Sequence, residues 1–217
     1  MLALEEHLEH KDCAMPPLSR IAKTLLPKRV KRFVLLHILG GRRLKDHIRL
    51  RGSRIFLERD LMPWVATRHA RVLFVGTGPY TYQIENLFRR SGEHYTTIDP
   101  ERSAATWGAR NHIVGSIAEI GRHRPNGHFD CIVLNGVFGF GIDQFEDQRA
   151  TVKVLHDALV PGGTLLVGWN TNLTPDLDEL DLFKPYFTKA EGLPWPHRTL
   201  FPLPETHVYD FYTRRED

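Results

Sequence analysis

Short apolar runs, set apart by stretches that read as helical, constrain this chain more than any other feature. From Arg71 onward they are Arg71–Val75 (RVLFV), His94–Ile98 (HYTTI), His112–Val114, Phe129–Leu134 (FDCIVL) and Gly163–Gly168 (GTLLVG). Each is too short for a buried helix and suits a buried strand. Strands alternating with helices form right-handed βαβ units, hence an open, mostly parallel sheet of α/β class. Ligands of such sheets sit beyond the carboxyl ends of the strands. The loops at Gly76, Asp99, Gly115, Asn135 and Asn170 are therefore expected to share one edge, and chemistry is to be sought there.

The preceding residues have another texture. Met15-Pro16-Pro17 closes a short N-terminal segment, and from Leu18 to about Arg59 apolar residues are interleaved with Lys and Arg at spacings that suit amphipathic helices. Charge follows the same division. The total is only +3, yet residues 20–68 hold fourteen basic side chains against Asp46, Glu58 and Asp60. We therefore expect a basic helical extension over 1–68 in front of a mildly acidic sheet domain over 69–217. Two cysteines, Cys13 and Cys131, form neither a zinc cluster nor a disulfide framework, and a reducing cytoplasm suits them. The apolar run Phe33–Leu39 falls far short of the roughly 20 residues a membrane span needs, and Met1–His10 is acidic where a secretory leader is basic. No metal is expected: His7 with His10, and His123 with His128, bring no third ligand, while His112 and His156 fall near the sheet, where a hydrogen-bonded histidine is commoner than a base.

The first strand runs directly into Gly76-Thr77-Gly78-Pro79-Tyr80. Glycines there let a ligand approach the backbone closely. A dinucleotide fingerprint would need a third glycine where Thr81 stands, and Pro79 removes an amide donor from a pyrophosphate cradle. The second strand ends on Asp99, 21 residues after Gly78 and followed by Pro100. A carboxylate at that place accepts both hydroxyls of a ribose; the competing reading is a turn aspartate before proline. Together the two features point to a nucleoside ligand that needs no pyrophosphate.

In order, VLFVGTGPY, YTTIDP, HIVGSIAEI, FDCIVLNGVFGFG and LVPGGTLLVGWN resemble the successive motifs of class I S-adenosylmethionine-dependent methyltransferases, over about residues 69–170. The resemblance implies a Rossmann-like, mostly parallel seven-stranded sheet with helices on both faces and an antiparallel last strand, Thr206–Thr213 (THVYDFYT). It implies S-adenosyl-L-methionine as cofactor, with methionine near Gly76, Thr77, Gly78 and Tyr80, ribose on Asp99 beside Pro100, and adenine by Ser116 and Ile117. Asn135 and Gly136 complete the cofactor set. The chain departs from the pattern at Phe74 and Ser116, where the family commonly has acidic residues, and at Tyr80, where it commonly has glycine.

The loop after the fourth strand, Asn135 to Asp143, lacks the paired prolines that amino-methyltransferases of nucleobases and glutamine carry there. Its alternating Gly and Phe read as an apolar wall for a small organic or lipid-linked acceptor methylated at oxygen, or as core phenylalanines in a plain loop. Asp143, as base, and Asn170, as a hydrogen-bond partner of the acceptor, are the catalytic candidates; each also suits a capping role. The basic residues 20–59 read as a lid over the cofactor, as a face for anionic lipid, or as a grip on RNA phosphates. The neighbouring apolar run and the scarcity of interleaved aromatics disfavour nucleic acid. A peripheral membrane location thus stands beside the cytoplasmic one. The alternative function is a nucleoside-binding module that has lost methyl transfer.

Overall fold

The computed structural model describes residues 27–35, 51–88 and 94–216. The chain divides into two compact units, Met1–Gly41 and Arg42–Asp217. In the first, helix α1 (Lys28–Phe33) places four cations among its six residues; the rest of the expected lid before Arg51 lies outside the described residues.

In the second unit, α2 (Gly52–Phe56), a π-helical segment (Leu57–Leu61) and α3 (Met62–Arg68) follow one another. Leu57, Leu61, Met62 and Val65 are fully buried, packed with Val72, Phe74, Val133, Leu166 and Phe211 of the sheet. Phe74 is thus a core side chain, so the departure it marks from the family pattern is a packing choice. The strands are β1 (Val72–Val75), β2 (Tyr95–Asp99), β3 (Asn111–Val114), β4 (Phe129–Asn135), β5 (Leu159–Asn170), β6 (Phe187–Lys189), β7 (Arg198–Leu200) and β8 (His207–Arg214). Their order is β3-β2-β1-β4-β5-β8-β6, with β7 also on β8. β1 to β5 are parallel and β8 is antiparallel to β5.

The sheet therefore has eight strands where seven are expected. The additional strand arises at the edge, because β6 and β7 pair with successive stretches of β8, Tyr212–Arg214 and Val208–Asp210. Arg198 fastens β7 there: its guanidinium donates to the buried Asp210 carboxylate (2.6 and 2.9 Å) and to Asp176 (2.8 and 2.9 Å), while Trp169 Nε1 donates to Asp210 at 2.8 Å. This pairing holds the Asp176 carboxyl below its ordinary pKa.

The opposite face packs on α4 (Phe145–Ala158), whose Val152 and Leu155 are buried against Leu134, Leu165 and Trp169. Among the described residues, the connections from β1 to β4 carry short 3-10 turns at Ile84–Phe88, Arg102–Thr106 and Ile117–Arg122. His112 and His156 are both hydrogen-bonded: Nδ1 of His112 bonds Thr97 Oγ1 (2.8 Å), and His156 Nε2 accepts from Arg214 (3.2 Å).

Candidate active site at the carboxyl edge of the sheet

β1 ends in a glycine that has to be glycine. Gly76 has φ +85°, and a Cβ there would lie 2.6 Å from the carbonyl oxygen of Asn135. The loop thus lies directly against the end of β4. Thr77 N donates to Asp99 Oδ2 at 2.8 Å, and Glu101 N donates to Oδ1 at 2.9 Å. The carboxylate at the end of β2 is held in place by two amides, and each oxygen keeps a lone pair for a further donor. These two bonds are those of the turn reading of Asp99, and they leave acceptor capacity on both oxygens. Pro100, next to it, is exposed.

Ser116 and Ile117 are committed to structure. The Ser116 hydroxyl accepts from Ala118 N at 3.2 Å, capping the following 3-10 turn, and the Ile117 side chain belongs to the core. Their turn adjoins the end of β2, where Gly115 N donates to the Asp99 carbonyl at 3.0 Å, and the Ile117 side chain faces inward.

Past β4 the edge opens into a cleft of about 280 Å³. Tyr80, Asn135, Gly136 and Asn170, all expected site residues, line it together. Phe140 lines it too, whereas Phe138 is buried at 1% exposure, so the Gly/Phe loop supplies one wall residue and one core residue. Tyr80 packs into the molecule: its hydroxyl accepts from Asn135 Nδ2 (3.3 Å), its ring carries the Arg54 guanidinium 4.5 Å from the centroid, and burial raises its pKa. Asp143 lies elsewhere. It is exposed, accepts from Gly141 N at 3.2 Å, and is absent from the cleft; the residue that opens α4 is Gln144.

The polar centre of the cleft is a residue that sequence reasoning missed. His207 opens β8 directly opposite Asn170 at the end of β5. Its Nδ1 lies 2.6 Å from Asn170 Oδ1, with Asn170 Nδ2 turned to Thr206 Oγ1 at 3.4 Å. In that orientation the ring donates Nδ1–H to Asn170 and keeps its lone pair on Nε2. Burial, then the charge of Arg54, lowers its pKa to about 4 despite the opposing Glu205, so the imidazole is neutral at ordinary pH. Nε2 and Asn135 Oδ1 are both buried without a hydrogen-bond partner. They meet at Gly168, where a Cβ would lie 2.8 Å from the first and 2.4 Å from the second. A buried acceptor left unpaired costs about 1–3 kcal/mol, and such groups concentrate where a ligand supplies the missing donor.

Arg51, Ser53 and Arg54, at the start of α2, form the remaining polar wall with Leu57, and Tyr209 completes the lining. The Glu205 carboxylate accepts from Gly52 N and from Ser53 N (3.0 Å) and so serves as a remote cap for this helix start. Burial opposes its ionisation, but the Ser53 hydroxyl and these amides outweigh it and lower its pKa. For His207, the signal in the sequence was its place as the first turn-flanked residue of the alternating THVYDFYT strand; for the arginines there was only a basic stretch.

No protein-family model and no curated protein matches the chain, but many solved structures share its fold. The N-methyltransferase NodS from Bradyrhizobium japonicum, in complex with S-adenosylhomocysteine, superposes with a TM-score of 0.56 at 13% identity, over 80% of this chain and 88% of that one. The 1,6-didemethyltoxoflavin-N1-methyltransferase of Burkholderia thailandensis, solved with its substrate and S-adenosylhomocysteine, gives 0.54 at 18% identity, over 95% and 93%. PH0226 from Pyrococcus horikoshii gives 0.56 at 15%, over 88% and 100%. The fold is that of the class I S-adenosylmethionine-dependent methyltransferases.

Proposed function

We propose that the protein is an S-adenosylmethionine-dependent methyltransferase acting on a small organic acceptor at oxygen. The observation that carries this reading is the junction of two features: a glycine turn bonded to a ribose-type carboxylate, and, across Asn135, a cleft with a neutral imidazole at its floor.

The residues fit the cofactor. A side chain at position 76 would close the space over Asn135, and Asp99 retains acceptor capacity after bonding Thr77 and Glu101. Gly76, Thr77 and Gly78 would hold the methionine arm and Asp99 the ribose. When bound, S-adenosylmethionine supplies a methyl carbon whose bond to sulfur breaks as the acceptor oxygen bonds to it, leaving neutral S-adenosylhomocysteine. What the chain contributes is position and proton acceptance. Leu57 and Tyr209 give the cleft an apolar wall, and Asn170 holds His207 with Nε2 as the base that takes the hydroxyl proton. An acceptor hydroxyl needs such a base more than an amine does, which is why oxygen is favoured.

Titration calorimetry of the full chain with S-adenosylhomocysteine and with NAD tests this. We expect saturable heat with the former alone. Absence of any heat with S-adenosylhomocysteine overturns the reading, and binding without transfer of a tritiated methyl group into any small molecule favours the nucleoside-binding module.

A further inference from the structure

The charges around the cleft are one-sided. Among the described residues, its ionisable lining residues other than the tyrosines are Arg51, Arg54 and His207, with no Asp or Glu. Glu205, a neighbour of His207 in the chain, is occupied by the N–H groups of Gly52 and Ser53. The Arg54 guanidinium carbon lies 4.5 Å from the Tyr80 ring centroid, a cation–π contact that does not neutralise it. Among the described residues neither Arg51 nor Arg54 forms an ion pair with a carboxylate. Two cations beside the apolar Leu57 and Tyr209 focus a positive field into the cleft. Asn135 and His207 both line the cleft, and His207 Nε2 has no hydrogen-bond partner. One wall calls for an anion and the floor for a hydroxyl.

We propose that the acceptor is a small hydroxy acid, its carboxylate bound by Arg54 and Arg51 and its hydroxyl directed to His207. This rests on the methyltransferase reading and names its substrate class. A cleft of about 280 Å³ suits a compact molecule rather than a polymer or a long lipid chain. The bound anion also serves the base. Arg54 is among the groups that keep His207 from taking a proton, and a carboxylate on Arg54 offsets that field once the acceptor is in place.

The same carboxylate chemistry exists in the methionine arm of the donor, and the experiment separates the two. A small-molecule extract of the source organism is split by ion exchange into anionic, neutral and cationic fractions, and each is incubated with the full chain and tritiated S-adenosylmethionine. Label is expected from the anionic fraction. With that fraction, Arg54→Gln is expected to raise the apparent KM about tenfold or more, as loss of a charged hydrogen bond does. The dissociation constant for S-adenosylhomocysteine should stay within about twofold, Arg54→Lys should restore part of the loss, and Arg51→Gln should repeat it more weakly. Label confined to the neutral or cationic fraction overturns the proposal while leaving methyl transfer standing. Weakened S-adenosylhomocysteine binding with KM unchanged also overturns it, by giving Arg54 to the donor. No label from any fraction removes the methyltransferase reading and the proposal with it.

Discussion

The two halves of the sheet's carboxyl edge are assembled by different means. Over β1 and β2 the site is made of backbone and one carboxylate, and its key bond, Thr77 N to Asp99 Oδ2, joins residues 22 apart. Over β4, β5 and β8 it is made of side chains brought from far along the chain: Asn135 meets Tyr80 across 55 residues, Asn170 meets His207 across 37, and Ser53 meets Glu205 across 152. The first half can be specified by a short motif, because a glycine turn and a strand-end aspartate carry their geometry with them. The second exists only once the strand order is in place, so its residues can change with the acceptor while the donor half stays the same.

The sharpest way to break this comparison is Asp99→Ala. If the donor half depends on that carboxylate, the variant loses both ribose hydrogen bonds and also frees Thr77 N from its partner. At about 1.5–3 kcal/mol for each hydrogen bond to a charged group, affinity for S-adenosylhomocysteine should fall on the order of a hundredfold or more by calorimetry. Unchanged affinity would mean that Asp99 is the turn residue alone.

Next in size is His207→Gln, which probes the acceptor half. Loss of the base should lower kcat about a hundredfold while leaving S-adenosylhomocysteine affinity untouched; an equal fall in both would erase the division between the halves. The same residue sets a pH dependence. Because burial and Arg54 lower its pKa to about 4, the acid limb of kcat/KM should lie near that value rather than near 6.5. The sign for stability follows: between about 4 and 6.5 the unfolded chain holds a proton that the folded chain refuses, so stability rises with pH through that window. Urea unfolding across it should show the slope in the wild type and a flatter one in His207→Gln.

What could be read in the sequence follows the same line. The parallel strands, Gly76 and Asp99 were legible because period, turn chemistry and spacing are local properties, while the antiparallel direction of the last strand came from the family resemblance alone. The eighth strand was not legible: β6 and β7 have three residues each, too short to show a period. His207 was inside the expected last strand, but its value depends on lying opposite Asn170, and register is not written in either strand alone. Arg51 and Arg54 sat in a long basic stretch, and only the packing of Leu57 and Leu61 on the sheet brings these two to the cleft.

Asp143 gives the smallest expected effect and the finest test of the division. It was the natural candidate from sequence, an acidic residue in the loop after β4 where a base is wanted. The structure ties its carboxylate to Gly141 N and leaves it exposed outside the cleft, so its charge is screened. Asp143→Asn preserves the bond to Gly141 N, and kcat should stay within about twofold of the wild type, an exposed-site effect of at most about 0.5 kcal/mol. A fall approaching that of His207→Gln would instead show that the Phe138–Asp143 loop folds over the acceptor and carries the base, and the acceptor half would have to be redrawn around a local motif like the donor half.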